Sequence, residues 1–168
     1  MKPYLVGLLV VGLAGMARAD EKVTLSGVHN CCGSCTKGIN AALGTVAGLQ
    51  SDIADDKVTV TAASNDDLQK AVDAMVAVGY TGASDNAAIK VNAGTAADQK
   101  VAALTVTGAH MCCGKCVKTA QAAVKSVPGV TGDTIAAGAK SFKVEGDFNA
   151  KDLMAALAKA GFSGTATQ

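Results

Sequence analysis

The alternation of apolar and polar positions predicts short strands and helices in a fixed order. Lys22 to Val28 alternates as a half-buried strand does, and from Cys35 the apolar spacing becomes helical, with Ile39, Leu43 and Val46 on one face. Gly48 is placed to stop that helix. Leu49 to Asp55 and Lys57 to Thr61 then read as a hairpin about Asp55-Asp56. Asn65 is placed to cap a helix whose stripe is Leu68, Val72, Met75 and Val76, and Gly79 ends it before a short last strand, Tyr80 to Ser84.

The same order recurs further along. Val101 to Val106 is a strand, and Cys116, Ala120, Val124 and Val127 form a helix face. Phe142 and Val144 alternate in a third strand. Asp147 or Asn149 caps a helix carrying Leu153, Met154 and Leu157, before Gly161-Phe162. Strand–helix–strand–strand–helix–strand is the ferredoxin-like order, so the expected fold class is α+β. It comprises two tandem βαββαβ domains, each an antiparallel sheet with both helices on one face.

Aligning the chain with itself makes the repeat explicit. Thr24 to Lys37 pairs with Thr105 to Lys118 at an offset of 81, and Gly79-Tyr80-Thr81-Gly82 pairs with Gly161-Phe162-Ser163-Gly164 at 82. The expected division is 20–85 for the first domain, 86–100 for a linker rich in Ala, Asn and Gly, and 101–168 for the second. Ala88 to Val91 would extend the last strand of the first copy and shorten that linker.

Composition adds an address. Lys2, the apolar run Tyr4 to Gly15 and the small-x-small site Ala17-Arg18-Ala19 read as a secretory signal over 1–19. The run is shorter than the roughly 20 residues a membrane-spanning helix needs, so no membrane insertion of the mature chain is expected. The expected location is periplasmic or secreted, with cleavage near Ala19. Cleavage removes Lys2 and Arg18 from 15 basic residues, leaving 13 against 14 acidic ones and no arginine. Without a basic stripe, an arginine fork or aromatic platforms, no nucleic-acid partner is expected.

All six cysteines and both histidines lie in two heptapeptides, His29-Asn30-Cys31-Cys32-Gly33-Ser34-Cys35 and His110-Met111-Cys112-Cys113-Gly114-Lys115-Cys116. Cys32 and Cys35, and likewise Cys113 and Cys116, are three apart at a helix start, where the helix N-terminus favours the thiolate that binds metal. Two thiolates suit near-linear Cu(I), a third from Cys31 or Cys112 permits trigonal binding, and His29 or His110 completes a closed zinc set. These alternatives stay open on the residues alone. A structural disulfide and a thiol–disulfide redox protein use the same Cys-x-x-Cys motifs, although three cysteines per loop leave one unpaired. Met111, facing Asn30 in the other copy, reads as loop packing, and Met75 and Met154 as core.

These residues resemble the heavy-metal-associated (HMA) domain family, which includes copper chaperones, N-terminal domains of metal-transporting P-type ATPases and periplasmic mercury-binding proteins. Met111-Cys112-Cys113-Gly114-Lys115-Cys116 matches its Met-x-Cys-x-x-Cys signature, and Asn30 to Cys35 matches except at Asn30. The resemblance implies a non-enzymatic protein that binds a soft ion, Cu(I) or Zn(II), about one per domain. Cys32 with Cys35, and Cys113 with Cys116, would hold it. It implies a metal transporter or another metal-binding protein as partner, and a screening role for Tyr80 and Phe162. The expected role is metal buffering, scavenging or delivery; the added Cys31, Cys112, His29 and His110 depart from the family and favour sequestration or sensing over fast hand-off.

Overall fold

The computed structural model describes residues 20–168; the expected signal at 1–19 lies outside them. Among the described residues the first half contains β1 (Glu21–Ser26), α1 (Gly33–Leu43), β2 (Gln50–Ala54), β3 (Lys57–Ala62), α2 (Asn65–Ala77) and β4 (Ala83–Ser84). The second half repeats this as β5 (Lys100–Thr107), α3 (Gly114–Lys125), β6 (Val130–Asp133), β7 (Ser141–Asn149), α4 (Ala150–Lys159) and β8 (Thr165–Thr167). The sheets run β2-β3-β1-β4 and β6-β7-β5-β8, with every pair antiparallel. The α+β class and the ferredoxin-like strand order are therefore those the sequence periodicity implies.

Alternation decides which face is covered. Val23 and Leu25 of β1 and Val58 and Val60 of β3 are buried together with Ile39, Leu68, Val72 and Met75 of the helices. Leu104, Val106, Phe142 and Val144 meet Ala120, Val124, Leu153 and Leu157 in the second half. Burying a side chain of this size contributes about 1.5–3 kcal/mol. Phe148, near the end of β7, joins that core on the same alternation as Phe142 and Val144.

Several ends move from where the sequence placed them. Helix α1 stops at Leu43, not at Gly48, because Gly44 and the Thr45 hydroxyl cap its last carbonyls; the hydroxyl donates to Ala42 O at 2.6 Å. Gly48, at φ +77°, instead turns the chain into β2. Ser64 rather than Asn65 caps α2, accepting from the Asp67 amide at 3.2 Å, with Asp66 and Asp67 in the positive first turn. At α4 the Asn149 side chain is the cap, accepting from the Lys151 and Asp152 amides.

Residues 85–99 carry no helix or strand, and Ala88 to Val91 does not extend β4. The segment is nevertheless tied down. Asp85 accepts from the Thr24 amide at 2.7 Å, and Gln69 exchanges bonds of 2.8 and 2.7 Å with the Lys90 backbone. Ile89 is buried, and Ala93 O accepts from the Gly164 amide just before β8. The connection thus lies along α2 and then against the second half.

Candidate metal centre

In each half the first strand ends in a left-handed glycine, Gly27 at φ +76° or Gly108 at φ +90°, that bends the chain into the cysteine loop. The loop closes on an extended residue at the helix N-cap, Cys32 for α1 and Cys113 for α3. Cysteine makes no regular capping bond there. The amides of Cys35 and Ser34 still turn their positive ends toward the Cys32 sulfur and hold its thiol down at about 6. Those of Cys116 and Lys115 lower Cys113 in the same way. Partial desolvation pushes Cys31 and Cys112 up, helped by neighbouring thiols, and desolvation also raises Cys116.

The two loops face each other. Tyr80 and Phe162 form an antiparallel bridge, flanked by Thr81 N donating to Gly161 O at 3.2 Å and Ser163 N donating to Gly79 O at 3.1 Å. The arrangement is reciprocal: a Cβ on Gly79 would strike the backbone before His110, and one on Gly161 the backbone before His29. Both glycines have positive φ, so the repeated glycine–aromatic pair is the hinge of a pseudo-two-fold contact between the halves. The Ser163 hydroxyl crosses the same seam, donating to Val76 O at 2.7 Å. Sequence reading took this motif as a helix end leading into a last strand, with a screening role for Tyr80 and Phe162; its recurrence was the signal for a joint surface.

Across the seam lies a group of six free thiols. Cys31 Sγ is 3.6 Å from Cys113 Sγ and 3.7 Å from Cys116 Sγ, while Cys112 Sγ is 3.4 Å from Cys35 Sγ and 3.9 Å from Cys32 Sγ. Within the loops, Cys32 and Cys35 are 3.8 Å apart, Cys113 and Cys116 3.7 Å, and Cys112 and Cys116 3.3 Å. The leading cysteine of each loop therefore reaches the Cys-x-x-Cys of the other half. Cys35 and Cys116 are buried, and Cys112 is the exposed member. The sequence suggested one site per half; the described residues bring both loops into a single sulfur cluster.

Beneath the sulfurs the imidazoles pack in the seam. His110 stacks on Tyr80 at 3.7 Å between ring centroids, and His29 lies 4.6 Å from Phe162. The Nδ1–H of His110 donates to Gly79 O at 2.8 Å, because a carbonyl can only accept, and this leaves Nε2 with a free lone pair. Nε2 of both histidines is buried without a hydrogen-bond partner. One nitrogen of each lies with Cys116 Sγ in a group spanning no more than 4.8 Å. Burial drives His110 down to about 4 and lowers His29, so both are neutral donors at pH 7. Desolvation also raises the Tyr80 phenol, whose hydroxyl bonds toward Cys35, so it stays protonated over the cluster. Met111 is buried in the loop.

Residues 105–163 match the heavy-metal-associated domain family. The solution structure of the N-terminal soluble domains of Bacillus subtilis CopA is similar at 16% identity, covering 90% of this chain and 97% of that one, with a TM-score of 0.31. No curated protein matches.

Proposed function

We propose, from a heavy-metal-associated domain at residues 105–163 and a second thiol loop folded against it, that the protein binds soft metal ions between its two halves. The observation that carries this is the gathering of six free thiols at contact distance around one seam. Thiolate-rich sites select Cu(I), Zn(II) and heavier thiophilic ions over hard cations. Cys31, Cys32, Cys35, Cys112, Cys113 and Cys116 are the ligands in this reading. His29 and His110 stand beside Cys116 as neutral nitrogen donors. Metal is cargo here: sulfurs drawn from both halves favour retention over release, which suits buffering or scavenging.

Equilibrium titration of the reduced protein with Cu(I) and Zn(II) against competing chelators tests the reading. Tight binding is expected, and Cys32→Ser with Cys113→Ser should weaken it at least tenfold; binding indifferent to both changes overturns it. The low Cys32 thiol beside Cys35 also suits disulfide chemistry, so reductase turnover with stable disulfides in the isolated protein would favour a redox protein instead. We further infer export, on the signal-like residues 1–19; N-terminal sequencing of protein from its native cell should read from Asp20, and an intact Met1 rejects it.

A further inference from the structure

We propose that the six thiols hold a tetranuclear copper(I) cluster, with each ion bound by three sulfurs and each sulfur bridging two ions. The proposal rests on the soft-metal reading above and adds nuclearity and metal to it. Four three-sulfur groups exist among the described residues: Cys31-Cys32-Cys35, Cys31-Cys113-Cys116, Cys32-Cys112-Cys113 and Cys35-Cys112-Cys116. Every cysteine belongs to two of them, and any two groups share one sulfur. Six vertices related in this way are the corners of an octahedron, and the four groups are its alternate faces. Four trigonal ions on those faces, linked by six bridging sulfurs, make one closed cage.

The distances follow the same figure. Ten of the twelve octahedral edges are sulfur–sulfur contacts between 3.3 and 4.0 Å. The other two join sequence neighbours, Cys31 to Cys32 and Cys112 to Cys113, and stay within 4.8 Å. None of the ten contacts joins Cys31 to Cys112, Cys32 to Cys116 or Cys35 to Cys113, the pairs an octahedron sets at opposite corners. A metal–thiolate bond of about 2.3 Å places the sulfurs of a trigonal site roughly 4 Å apart, which is the upper end of what the free thiols already show.

Copper(I) fits this set better than zinc. Zinc in a closed site takes four ligands, and these four groups offer three sulfurs each. Cu(I) is soft, and three thiolates permit trigonal binding. No electron moves when it binds: six S–H protons leave and up to twelve Cu–S bonds form. Six thiolates against four Cu(I) leave two negative charges, set between the N-termini of α1 and α3, each worth roughly half a positive charge. The extra cysteine of each loop has a clear part in this cage. Cys31 supplies the third sulfur to Cys113 with Cys116, and Cys112 supplies it to Cys32 with Cys113 and to Cys35 with Cys116.

The test is anaerobic titration of the full reduced chain with Cu(I) complexed to a competing chelator. Bound copper is counted by metal analysis and native mass spectrometry, with the luminescence of shielded copper–thiolate clusters as a second readout. Four copper ions on a single chain are expected, with luminescence. Cys31 and Cys112 are opposite corners, so Cys31→Ser with Cys112→Ser removes a sulfur from all four faces while keeping both Cys-x-x-Cys pairs. That variant should fall to two copper ions and lose luminescence, and copper-free circular dichroism checks that it folds. Saturation of the natural chain at one or two ions, four ions only in a two-chain species, or four ions retained by the double variant overturns the cluster and leaves soft-metal binding standing. Absence of tight binding by the natural chain overturns both.

Discussion

Cys31 and Cys32 differ in their readiness to ionise, and position on the helix decides it. Cys32 sits at the N-cap of α1, where backbone amides hold it at about 6, whereas Cys31, one residue earlier, is raised by desolvation and by neighbouring thiols. In metal-free protein the alkylation rate of Cys32, followed by peptide mass spectrometry, should therefore reach half its plateau near pH 6, with Cys31 reacting only in alkali. Equal pH profiles for the two would reject the assignment. The Cys-x-x-Cys spacing made the N-cap role readable from sequence, because a thiol three residues before another at a helix start has little other geometry open to it. The placement of Cys31 and Cys112 was not readable, since each touches sulfurs of the other half, about 80 residues away in sequence.

The strands and helices were legible because amphipathic spacing is local. Val23, Leu25, Val58 and Val60 alternate as half-buried strands must, and each is buried. The last strand of the first half was harder. Its opening residues give up the ladder so that Tyr80 can bridge to Phe162, a choice set by a partner element some 80 residues away in sequence and by no local propensity. Gly161 is the element-level key to that bridge. Its φ of +84° disfavours any side chain, and a Cβ would strike the His29 amide and Gly27 carbonyl of the other half. Gly161→Ala should cost about 1–3 kcal/mol of docking free energy. Each half should stay folded while the hydrodynamic radius of the metal-free chain increases. An unchanged radius in small-angle scattering would remove Gly161 from this role.

At the scale of the molecule the two halves meet over a seam of neutral imidazoles and aromatics. His110 faces Tyr80, His29, Phe162 and the Gly79 carbonyl, with Cys116 close by, and no carboxylate among the described residues contacts it. Burial lowers His110 from 6.5 to about 4, and His29 is lowered too. The separated or unfolded chain therefore takes up protons at higher pH than the docked one. The stabilisation is fully present above pH 6.5 and is lost as the pH falls toward about 4. The melting temperature of metal-free protein should drop over that window, and His110→Gln should flatten the drop; a profile equally steep in the variant would place the cause elsewhere.

The packed connection over residues 85–99 has a consequence for dilution. A pocket shared between two separate chains forms in a second-order encounter and comes apart as the protein grows scarce. Here Asp85, Ile89 and Ala93 hold the second half close to the first, so assembly is first order and the local concentration of one loop about the other is on the order of millimolar. A single copy in an otherwise empty volume would still bring all six sulfurs together.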